Sequence, residues 1–167
     1  VDDDLAPDEM LKDLLGDGQD DELDFLELRG QVPRFRPILV ALAARAAGAR
    51  GVDHDLQYAA ELLHIGLFLH DVALGREGGR RRWVARQFIK KSMRWVSGAT
   101  LSIRAMELSR HSHPKMTGEI LDTLREFADG QSICREIQDG IIPKEQDWLE
   151  HADAHVGALF AFCCRGG

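Results

Sequence analysis

Apolar positions in this chain recur every three or four residues, and no stretch shows the strict alternation of a half-buried strand. The pattern predicts a string of helices with polar, glycine-rich punctuation. Two short helices are expected over residues 7–15 and 21–29, divided by Gly16-Asp17-Gly18. Pro37 suits the first turn of the next, which continues to residue 47 and stops at Gly48. Asp53 or Asp55 can cap a central helix reaching Leu74, and Gly75 to Gly79 form a loop. Further helices are predicted over 83–96, 98–109, 115–128, 132–139 and 144–164, with Asp129-Gly130 and Asp139-Gly140 as glycine stops. The fold class is all-α, a helical bundle with buried central helices.

The central helix carries the chemistry. Along its Leu, Ile and Phe positions, Glu61, His64 and Asp71 stand at i, i+3 and i+10, a spacing that puts them on one face. Polar groups in line on an apolar helix must be paired, hydrated in a cavity or bound to a ligand. One turn beyond Asp71 the line ends at Gly75.

This segment resembles the first aspartate-rich helix of the trans-isoprenyl diphosphate synthases, the polyprenyl synthetase family, where E-x-x-H-x-x-x-x-x-H-D-D-x-x-D holds magnesium against an allylic diphosphate. Further similarities follow in family order. Arg34-Phe35-Arg36-Pro37 resembles the end of G-G-K-x-x-R-P, and Arg80-Arg81-Arg82 the paired arginines after the first motif. Ser97-Gly98-Ala99 is similar to A-G-D, Gly130-Gln131 to the family's G-Q turn, and His155-Val156-Gly157-Ala158-Leu159-Phe160 to K-T-x-x-L-F. The resemblance covers residues 29–167, a domain like the N-terminal part of the isoprenoid synthase fold, preceded by an acidic helical arm over 1–28. It implies that Arg36, His64, Arg81 and Arg82 contact diphosphate and that Asp71 belongs to the metal site.

The departures change the function expected. D-D-x-x-D reads Asp71-Val72-Ala73-Leu74-Gly75, the lysine of G-G-K is Pro33, the aspartate of A-G-D is Ala99, and K-T is His155-Val156. Magnesium favours several hard oxygen ligands in octahedral array, so Asp71 alone could retain it only through a bound diphosphate. Departure of diphosphate needs its charge neutralised by metal ions and lysines, and most of both are missing. The resemblance therefore implies a non-catalytic or regulatory subunit, a homodimer or a heteromer with an active isoprenyl diphosphate synthase, with prenyl diphosphate as a possible ligand. A divergent or truncated active prenyltransferase remains open. A remoter alternative is an HD-type metal phosphohydrolase built on His70-Asp71-Val72, with His54 or His64 and a distant aspartate as further ligands. Each site residue also has a plainer reading: Arg36 as a surface arginine, His64 as a core histidine, Asp71 as a hydrogen-bonded carboxylate, and Arg81 and Arg82 as exposed loop charges.

Charge is segregated along the 167 residues. Residues 1–27 hold twelve acids and one lysine, whereas 76–94 hold eight Arg or Lys beside Glu77 alone. The basic run suits a diphosphate or an acidic partner. Nucleic acid is not expected, because the net charge is −7 and few aromatics interleave the basic residues. No apolar run is long enough for a membrane span, and nothing at the start resembles a signal peptide. Cys134, Cys163 and Cys164 lack metal-ligand spacing and read as reduced thiols of a cytoplasmic protein, Cys163 and Cys164 packing between helices. Without the family's last helices, an exposed apolar face and dimerisation are expected.

Overall fold

The computed structural model describes residues 35–51, 53–74, 91–138 and 142–167. The expected helices at 7–15 and 21–29, the 75–79 loop, Arg81 and Arg82 lie outside the described residues. Helix α1 spans Phe35–Ala46, α2 His54–Leu74, α3 Lys91–Ser112, α4 Pro114–Gln138, α5 Glu145–Ala152 and α6 Ala158–Gly166. A π-helical turn, Asp153–Gly157, joins the last two. The chain is an all-α helical protein, with no strand among the described residues. None of its described helices is long and apolar enough to cross a membrane.

Local chemistry explains the starts and stops. Pro37 sits in the first turn of α1, where its missing N–H costs nothing. Beyond α1, Gly48 adopts φ +90°, a left-handed turn that favours glycine. Asp53 caps α2: its Oδ1 accepts the Leu56 backbone N–H at 3.0 Å. Its Oδ2 lies 2.5 Å from His113 Nε2, between α3 and α4. Burial alone would raise the Asp53 pKa, but these bonds outweigh it and hold the carboxyl below its usual range. At α5, the Lys144 backbone N–H donates to Asp147 Oδ2 at 2.7 Å.

Three boundaries differ from expectation. The predicted break at Ser97-Gly98 is absent, and α3 is continuous through it. The predicted stop at Asp129-Gly130 is likewise absent, because α4 runs through it to Gln138. A helical glycine costs only about 1 kcal/mol relative to alanine, too little to end a long packed helix. Neither residue has positive φ; Gly48 alone does among the described residues. Both are packing glycines. The final helix predicted over 144–164 is instead α5, the π-turn and α6 in succession.

The chain divides into two compact units. In one, comprising 1–34 and 62–104, the described core is Leu62, Leu63, Leu67, Leu69, Val72 and Ala73 of α2 with Leu101 of α3. Here the helices approach at two glycines: a Cβ on Gly66 would stand 2.8 Å from the Gly98 carbonyl oxygen. The other unit comprises 35–61 and 105–167. In it α6 packs on α1 and α4, burying Val40, Ile120, Leu159 and Phe162. Buried side chains of this size each contribute about 1.5–3 kcal/mol.

Candidate functional site

Arg36 is the best-defined of the predicted site residues. It opens α1 half-buried, with its guanidinium carbon 5.7 Å from the centre of the Phe160 ring. Residues 124 positions apart are thereby joined, since Phe160 lies on α6 and α6 packs along α1. Burial lowers the Arg36 pKa, while the charge of Glu61 acts in the opposite direction. The Arg36 Nε–H is buried and has no hydrogen-bond acceptor among the described residues. A desolvated donor of this kind favours an anion, and the guanidinium fork matches carboxylate or phosphate oxygens. Gln57 steadies the start of α1 by donating its Nε2–H to the Pro37 carbonyl at 2.8 Å.

Beneath Arg36, Cys163 is fully buried, and desolvation pushes its thiol up to about 12 despite the opposing pull of Arg36. Cys164 is its exposed neighbour; both are free thiols. The thiolate is the reactive form, so Cys163 is inert by both access and ionisation. Iodoacetamide at pH 8, followed by peptide mass mapping, is expected to label Cys164 and leave Cys163 unmodified in the folded chain. Labelling of the two at equal rates would contradict this packing.

His64 and Asp71 both lie on α2, and both belong to the other unit. His64 is half-buried and Asp71 only 5% exposed. The next position, where the resembled motif has its second carboxylate, is Val72 at 1% exposure, committed to the core. Residues with this donor set do not fit a magnesium cluster held by protein carboxylates. Among the described residues, no group of three His, Cys, Asp or Glu side chains is placed to hold a metal ion. His70 and Asp71 are thus not joined by a third such ligand among the described residues.

Two arrangements escaped the sequence reading. His70 packs its imidazole on Gly98 and lies 4.9 Å, ring centre to ring centre, from Trp95. Burial lowers its pKa, opposed by a backbone hydrogen bond at Trp95 and by the Asp71 charge. Its Nε2 is buried without a hydrogen-bond partner among the described residues. The other arrangement is His151, the π-turn residue His155 and Phe127, whose ring centres follow in series at 5.1 and 4.7 Å with their planes tilted. The i,i+4 spacing of the two histidines was the available signal; in the resemblance His155 stands only as a departure, where the family has a lysine. Comparisons with protein-family models, with curated proteins and with solved structures each find no match.

Proposed function

We propose that this chain is an isoprenyl diphosphate synthase-like protein of isoprenoid biosynthesis, acting as a non-catalytic or regulatory subunit. The observation that carries the reading is the environment of Arg36. Remnants of three motifs far apart in sequence, Arg36-Pro37, Glu61-x-x-His64 and Leu159-Phe160, supply the guanidinium, its carboxylate neighbour and the ring beneath it. A half-buried arginine with an unsatisfied Nε–H is suited to a prenyl diphosphate. Val72 in place of a carboxylate argues against metal-dependent chemistry on α2.

A partner is the other half of the reading. Phe35, Ile38 and Leu42 form an i, i+3, i+7 stripe on α1, each more than half exposed. Such a stripe suits an active synthase or a second copy in the cytoplasm. The test is prenyl transfer, using the full chain with labelled isopentenyl diphosphate, an allylic diphosphate and magnesium. The expected result is no product from a folded, helical preparation, and an altered product length or yield when an active synthase is added. Turnover that disappears in Asp71→Ala would overturn the subunit reading and identify an active prenyltransferase.

A further inference from the structure

We propose that His151 and His155 form a two-histidine site for a divalent transition-metal ion, with zinc as the reference ion. This is independent of the diphosphate reading, because it uses neither Arg36 nor Asp71. Three observations support it. The first is spacing. The ring centroids lie 5.1 Å apart, tilted by 39°. Two imidazoles sharing one tetrahedral zinc, with Zn–N bonds of about 2.0–2.1 Å, place their ring centres about 5 Å apart. No rearrangement of the helix is needed to bring the rings to that separation.

The second observation fixes a tautomer. His151 Nδ1 lies 2.9 Å from the Gly130 carbonyl oxygen. A carbonyl only accepts, so Nδ1 carries the proton and Nε2 carries the lone pair a metal requires. Restraint of one ring nitrogen by a backbone carbonyl is the usual support of a metal-binding histidine. The support is close-packed: at Gly130 even a methyl group would stand 2.9 Å from Ala154 Cβ. The third observation is the π-turn, an element concentrated at functional sites, which carries His155. Phe127 lies against the His155 ring at 4.7 Å and limits its orientation.

Imidazole nitrogen selects zinc, nickel or copper over magnesium. Two protein ligands leave positions for water or a further ligand, so this is an open site rather than a closed structural one. The test is calorimetric titration of the full chain with zinc chloride in excess magnesium, repeated on His151→Gln and His155→Gln. Circular dichroism would verify helix content, and cobalt spectra would report the ligands. The expected result is one zinc per chain, bound at least about tenfold more weakly in either variant. The cobalt complex should show no thiolate charge-transfer band. Equal affinity in all three proteins would place the ion elsewhere and overturn the proposal. So would a thiolate band, or no binding at millimolar metal.

Discussion

Replacing Phe162 by alanine is expected to destabilise the chain by about 3–5 kcal/mol, the usual cost of removing a buried phenyl ring. Phe162 is 1% exposed on α6, the helix that packs on both α1 and α4. The lost ring removes apolar burial and leaves a void that the three helices cannot close without shifting. For a chain of this length the loss corresponds to a fall of roughly 6–20 °C in Tm. Phe160→Ala is the matched control. That ring is 38% exposed and lies under Arg36, so its removal should cost far less. Urea unfolding of the two variants decides the matter, and equal costs would mean that α6 does not present Phe162 to the core. The comparison also separates fold from site. Phe162→Ala should loosen the α1–α6 contact that holds Arg36, whereas Phe160→Ala removes only the ring beneath it.

Helix existence was legible because periodicity and capping are local. A cap at Asp53 or Asp55 for α2, Pro37 in the first turn of α1 and Gly48 past its end all follow from side chains within a few positions, and the structure selects Asp53. Continuity was less legible. Gly98 and Gly130 carry the same composition signal as Gly48, yet one kind of glycine ends a helix by adopting positive φ and the other lets a neighbour approach. That difference is set by residues distant in sequence, His70 for Gly98 and Ala154 for Gly130. The π-turn at Asp153–Gly157 likewise has no proline, and its one glycine, Gly157, carries the same signal as glycines that ordinary helices run through.

The candidate site follows the same division. The spacing of Glu61, His64 and Asp71 on one helix was readable, because α2 supplies the register. The Phe160 ring under Arg36 and the burial of Cys163 beside it required α6 to return onto α1. His151 and His155 could be paired by spacing, but the carbonyl that holds His151 comes from Gly130, twenty-one positions earlier. Ligand-directing contacts in a helical protein lie between helices, where periodicity fixes which face is presented and not what it meets.

Gly98 offers the sharpest test of that distinction. In α3 it is buried, and a Cβ added there would stand 2.5 Å from His70 Nε2 and 2.9 Å from the Gly66 carbonyl oxygen. Alanine in place of a helical glycine normally gains up to about 1 kcal/mol from propensity. Overpacking of a tight core costs roughly 1–3 kcal/mol, and the share falling on backbone at Gly66 cannot be relieved by rotating a side chain. Gly98→Ala should therefore lose stability on balance, and Gly98→Val, which adds a second methyl and a stiff χ1, should lose more. Gly118 in α4 is the opposite case: nothing lies within 4 Å of its added Cβ, so Gly118→Ala should stabilise the chain. His70→Ala empties the space beside Gly98, and the double variant His70→Ala/Gly98→Ala should recover part of the loss. A coupling of about 0.5–3 kcal/mol is the range for residues in contact. Gly98→Ala as stabilising as Gly118→Ala would mean that His70 does not rest on α3, and the ring would then be free to turn its Nε2 toward solvent.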